Sequence, residues 1–160
     1  MDENEIKAMI NQDDFSSNFI GVFSRTRIPI TNSFPAGYII NLDNFGSPGF
    51  HWIAVYVTIK YIYIFDSFGR NFHNDPFISA FLRSFANQRI FVSSPYILQH
   101  HNSSTCGLYC ILFILILSRG YSFNQFITMF NLKRTKCNDL AVVSYFEEKH
   151  KRKFLHLLHD

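Results

Sequence analysis

The chain has 160 residues, of which 48% are hydrophobic, 18% aromatic and 17% charged, with a formal net charge of +3. That balance excludes a disordered chain, and the length is enough to bury roughly two-thirds of the unfolded surface, so a single domain over residues 1–160 is expected. The longest apolar run, Leu108 to Leu117, falls short of the ~20 residues that cross a bilayer, so a buried helix is expected there and no membrane partner.

At the N-terminus, residues 3–12 carry a short amphipathic helical pattern, and the acidic "MDENEIKAMINQDD" is unlike the basic and then apolar start of an export signal. From Phe19 the chain reads as extended, interrupted by Pro29 and Pro35, with "AGYIINL" (36–42) as a strand. A turn-rich stretch, "DNFGSPGF" (43–50), leads to "HWIAVYV" and "YIYIFDS", two β-branched and aromatic runs separated by Thr58, Ile59 and Lys60. This spacing predicts a hairpin central to the sheet, with the residue opposite His51 near position 67. Asp75 and Pro76 suit the start of a helix reaching about Asn87, and "RIFVSS" (89–94) reads as a further strand.

Residues 107–117 are apolar on every side, the pattern of a helix at the axis of the core, with Ser103, Ser104 or Thr105 able to cap its amides and an end near Gly120. Two more helices are expected, from Ser122 to about Leu132 and from Asp139 to about Leu158, the latter with a basic outer face. The order of elements predicts an α+β domain in which a mixed central sheet is flanked by helices.

The chemistry-bearing residues gather around Cys106. In the first turn of a helix, free amides and the positive end of the dipole favour an anion such as a thiolate, although buried cysteine is equally a common core residue. A nucleophilic thiol also needs a base, a group that orients the base, and donors for an oxyanion. His51 opens a central strand behind a glycine-containing turn, Asp66 interrupts the apolar run of the partner strand, and Gln99 stands seven positions before Cys106. An aspartate beside the imidazole can fix its tautomer, and a glutamine amide can join the Cys106 N–H in an oxyanion hole. Trp52, next to His51, reads as a core aromatic.

The phrases "HWIAVY", "IFDSFG" and "SSTCGLYC", in that order, resemble the adenovirus-type processing cysteine protease family, whose relatives occur in virophages and large virus-like transposons and, more distantly, among the SUMO-processing proteases. With "NFIGVFSRTRIPI" upstream, the resemblance spans roughly residues 19–120; the last forty residues match poorly. It implies His51 as general base, Asp66 as orienting acid, Gln99 as oxyanion donor and Cys106 as nucleophile at the N-terminus of a buried central helix, and Trp52, which also matches, as a substrate-binding wall of the site beside the imidazole. Where the adenoviral enzymes carry glutamate as the acid, Asp66 follows the SUMO-type branch. The resemblance further implies a thiol endopeptidase that matures viral capsid and core precursors by cleaving after small, glycine-containing motifs. Such an enzyme works inside the host cell, in the nucleus or a cytoplasmic virus factory, is packaged in the virion, and is expected as a monomer with no cofactor required for the chemistry. Adenoviral relatives are activated by a peptide joined through a cysteine between the acid and the glutamine; none lies between Asp66 and Gln99 here, which leaves a non-covalent peptide or DNA as the expected activator.

Three rival readings have a basis in the residues. His100, His101, Cys106 and Cys110 could supply zinc ligands, but the adjacent histidines lack the spacing of a zinc finger. The cluster Lys149, Lys151, Arg152 and Lys153 could make a non-enzymatic virion protein, or a viral DNA contact, from the C-terminal helix; the alternative is a solvated helix face. Removal of ubiquitin-like modifiers from host proteins would use the same catalytic residues.

Overall fold

The computed structural model describes residues 1–43, 51–72 and 74–158. The architecture is α+β: a five-stranded mixed sheet flanked by helices. In chain order the elements are α1 (Glu3–Asn11), β1 (Phe19–Ser24), β2 (Ala36–Asn41), β3 (Trp52–Val57), β4 (Tyr61–Phe65), α2 (Pro76–Arg83), β5 (Ile90–Ser93), α3 (Cys106–Ser118), α4 (Phe123–Thr128) and α5 (Thr135–His150). The strands lie in sequence order, β1 parallel to β2, β2–β3–β4 antiparallel, and β5 parallel to β4.

All residues of β2 and β3 are buried, which requires both faces of the sheet to be covered and explains why these strands read as continuous apolar runs. Strand alternation divides the faces. Trp52, Ala54 and Tyr56 point into a large cluster with α1, α3, α4 and α5, while Ile53, Val55 and Val57 join a smaller one with Ile78, Phe81 and Leu82 of α2. The sheet meets α3 so closely that a Cβ on Gly37 would stand 3.0 Å from the Ile114 side chain.

Several expectations hold in outline and shift at their ends. The hairpin forms with a tight Ile59–Lys60 connection, closed by the Thr58 N–H donating to the Tyr61 carbonyl at 2.8 Å. Its register pairs Ala54 with Phe65 and Tyr56 with Tyr63, which places position 68, not 67, opposite His51. The turn-rich stretch expected at 43–50 lies, beyond Asp43, outside the described residues.

Asp75 caps α2 as expected, accepting from the N–H groups of Phe77 and Ile78 at 3.0 Å each. The helix stops at Arg83, short of Asn87, because the chain tightens into i→i−3 bonds at Phe85 and Ala86. The same tightening, at Met129 and Phe130, ends α4 ahead of Leu132. At the C-terminal end, α5 begins at Thr135, before the expected Asp139, and is broken by Lys151 in the left-handed region at φ 52°. Glu147 Oε1 then takes the N–H groups of Phe154 (2.6 Å) and Leu155 (3.1 Å), folding the tail back onto the core.

The basic cluster of this tail is partly spent inside the molecule. Lys149 pairs with Asp13 and Arg152 with Glu5, tying α5 to the α1 end of the chain. Lys151 and Lys153 are exposed.

Candidate active site

The site forms where β3, β4 and α3 converge. His51 sits at the mouth of β3, its carbonyl accepting from the Leu42 N–H at 3.1 Å, so the ladder with the preceding strand holds its backbone. Asp66 immediately follows β4. In the observed register position 66 falls across from Ile53, two residues from His51 and of the same parity, so both side chains belong to one face of the hairpin. His51 Nε2 and Asp66 Oδ1 are 2.7 Å apart.

A tight turn completes the acid's surroundings. Gly69, at φ 65°, adopts a conformation that side chains rarely take, and a Cβ there would come within 2.5 Å of the Pro95 carbonyl oxygen. The reversal returns Arg70 to Asp66: Arg70 Nε donates to Oδ2 at 2.9 Å, and the Phe68 N–H donates to Oδ1 at 3.0 Å. Phe68 stacks on the imidazole with ring centroids 5.2 Å apart. Burial alone would raise the Asp66 pKa, but the hydrogen bond and charge of His51, with the Phe68 amide and Arg70, bring it below its ordinary value. For His51 burial pulls the pKa down, and the bonds to Asp66 and Cys106, with their charges, outweigh it and raise the pKa.

Cys106 is the first residue of α3 and is 4% exposed, less open than a rim position suggests. With Nε2 turned to Asp66, the imidazole's Nδ1 is left for Cys106, the second group whose interaction raises the ring's pKa. The expected side-chain cap of α3 is not made by Thr105, its N-cap residue. Thr105 Oγ1 donates instead to Asp139 Oδ1 at 3.2 Å. Among the described residues the Cys106 and Gly107 N–H groups then have no partner, and a pair of open amides beside the sulfur is what an oxyanion requires. Cys110, one turn further on, is fully enclosed, and burial pushes its thiol pKa well up.

Gln99 is 1% exposed. Its Oε1 accepts from the Ser67 hydroxyl at 2.6 Å and its Nε2 donates to the Ser103 carbonyl at 2.7 Å, linking the residue after the acid to the loop before the cysteine. The structure thus brings His51 against Asp66 and Cys106, and ties Gln99 to Ser67 and Ser103, chain neighbours of the acid and of the cysteine. Trp52 is 3% exposed, donates to the Met1 carbonyl at 3.3 Å and packs beneath Gly107, so it supports the first turn of α3 from within the core.

Residues that the sequence reading did not single out hold this cluster in place. Asp139 of α5, 1% exposed, accepts from the His100 N–H (3.1 Å), the Thr105 hydroxyl and the Tyr109 hydroxyl (2.8 Å). Burial, then the charge and bond of Asp139, raise the Tyr109 pKa. Asn138 Nδ2 donates to the Leu98 carbonyl at 3.0 Å. A signal existed in "CNDLAVV", where two polar residues interrupt the buried face of a helix, but nothing in the sequence says what lies opposite. Of the four residues considered as zinc ligands, His100 Nδ1 accepts from the Asn102 N–H at 3.3 Å, Cys106 faces His51 and Cys110 is enclosed in the core. Among the described residues no group of three or more His, Cys, Asp or Glu could hold a metal ion.

No protein-family model matches the chain, and comparison with curated proteins finds no match.

Proposed function

We propose that the protein is a cysteine endopeptidase with the fold and mechanism of the adenovirus-type processing proteases, acting on glycine-containing sites in viral capsid and core precursors. The observation that carries this reading is the arrangement of one imidazole between a buried carboxylate at 2.7 Å and the sulfur of a cysteine whose neighbouring helix amides are open. A cysteine that serves only as packing needs neither of them.

In the proposed reaction His51 Nδ1 takes the thiol proton as the Cys106 sulfur forms a bond to the scissile carbonyl carbon. Asp66 keeps Nε2 as the N–H side of the ring and stabilises the imidazolium. The negative charge that develops on the carbonyl oxygen is met by the Cys106 amide and the Gln99 side chain. Collapse breaks the C–N bond, and the proton carried by His51 goes to the leaving amine. Water, deprotonated by the same imidazole, then hydrolyses the thioester to a carboxylic acid and the free thiol. The resemblance of the three sequence phrases supports the substrate class, since the geometry itself is indifferent to it.

Incubation with a panel of glycine-containing peptides, followed by mass analysis, tests the proposal. The parent protein is expected to cut them and Cys106→Ala to be inert while still folded, since one buried sulfur is all that is removed. Cleavage that persists in Cys106→Ala, or is absent in the parent with and without added DNA or activating peptide, would sink it.

A further inference from the structure

Ser67 directly follows the acid at the end of β4 and is 0% exposed. Among the described residues all of its hydrogen bonds go to one loop. Its carbonyl accepts from the N–H groups of Leu98 (2.8 Å) and Gln99 (3.1 Å), and its hydroxyl donates to Gln99 Oε1 at 2.6 Å. The last torsion of a glutamine is broad and roughly two-fold, so partners must decide which way the amide faces. Here the Ser103 carbonyl takes one hydrogen of Nε2, and the Ser67 hydroxyl holds the oxygen. The second Nε2 hydrogen has no partner among the described residues. An amide turned the other way would present its oxygen to an oxyanion and repel it.

We propose that Ser67 is a positioning residue: by donating to Gln99 Oε1 it fixes the amide with its open N–H toward the acyl oxygen, in register with the base that the adjacent Asp66 orients. The dipeptide Asp66–Ser67 then aligns both halves of the machinery, one residue setting the imidazole and the next setting the oxyanion donor. This inference rests on the acyl-transfer reading above. A serine that only stitched β4 to the loop would affect folding and every reaction of Cys106 alike.

Two reactions of the full chain separate the roles. Acylation by the para-nitrophenyl ester of N-acetylglycine passes through a tetrahedral oxyanion and releases nitrophenolate. Alkylation by iodoacetamide displaces iodide at a saturated carbon and forms none. Ser67→Ala is expected to lower kcat for acylation about tenfold, the effect of leaving one buried amide oxygen without a donor, with KM and the alkylation rate unchanged. In a Gln99→Ala background the same substitution is expected to cost nothing further, as a residue that acts only through Gln99 must. Unchanged acylation in Ser67→Ala, an undiminished loss in the Gln99→Ala background, or an equal fall in both reactions overturns the assignment while leaving the protease reading intact. A parent protein that acylates no faster than free cysteine overturns both. Should Ser67→Ala fail to fold, the parent decides by NMR: a Ser67 hydroxyl proton that exchanges slowly enough to be observed supports the bond to Gln99 Oε1, and one that exchanges freely with water overturns the assignment.

Discussion

At the scale of single residues, burial changes what a catalytic candidate costs to remove. Spacing alone gives Gln99 a role in turnover only, but at 1% exposure its amide also satisfies Ser67 and Ser103. Gln99→Ala is therefore expected to slow peptide cleavage by about a hundredfold to a thousandfold and also to lower stability by about 2 kcal/mol, since it strands buried polar groups. Steady-state kinetics and urea unfolding of the same variant check the two parts. The His51–Asp66 pair has its own signature in pH. The His51 pKa is raised on folding, so its stabilising contribution is full below its ordinary value near 6.5 and fades as pH climbs through the folded value. Asp66 is lowered on folding and contributes with the opposite sign, its share disappearing as pH falls through its folded value. The stability gap between the parent and His51→Gln is accordingly expected to be widest on the mildly acidic side of neutrality and to narrow in alkali. A gap that widens in alkali would show that the imidazole is held neutral.

At the scale of elements, the sequence shows the helices and strands more clearly than it shows what pins them. Hydrophobic pattern gives α1, α3 and the β3–β4 hairpin because in each the pattern repeats over at least five residues. Ends of helices shift by several residues because they are set by competing bonds: Thr105 turns to Asp139 rather than to its own helix, and Glu147 captures the amides of Phe154 and Leu155. The tie between α1 and α5 has a measurable weight. Asp13 carries a side chain 2% exposed and bonds Arg119 at 2.7 Å as well as Lys149. Burial would raise its pKa, yet the Lys149 bond, the Phe15 amide and Arg119 hold it at about 2 against an ordinary 3.8. That difference corresponds to about 2 kcal/mol of stability, present above the ordinary value and lost as pH drops toward the folded one. Asp13→Ala is expected to lose about this much in denaturant titrations at neutral pH and to match the parent in strong acid.

At the scale of the whole molecule, α3 is both the axis of the core and the carrier of the cysteine, so packing and chemistry share one element. Phe113, fully buried, lies against Phe65 of β4 and against Phe123 and Phe126 of α4, with ring centroids 5.0–5.5 Å apart. Phe113→Ala is expected to cost about 4 kcal/mol, a large part of the stability of a domain this size, and to appear as a sharply lowered melting temperature. What the sequence by itself determined is the α+β class, the central hairpin and the buried helix, because these follow from local periodicity; His51, Asp66, Gln99 and Cys106 are marked out together only by the resemblance of the phrases that carry them. Only the tertiary structure decided which residues meet. A hairpin closed one residue differently would have turned Asp66 away from His51, since strand faces alternate with period two. The contacts of Ser67 with Gln99 and of Asp139 with the loop before Cys106 join positions 32 and up to 39 residues apart, and no local pattern encodes a partner at that distance.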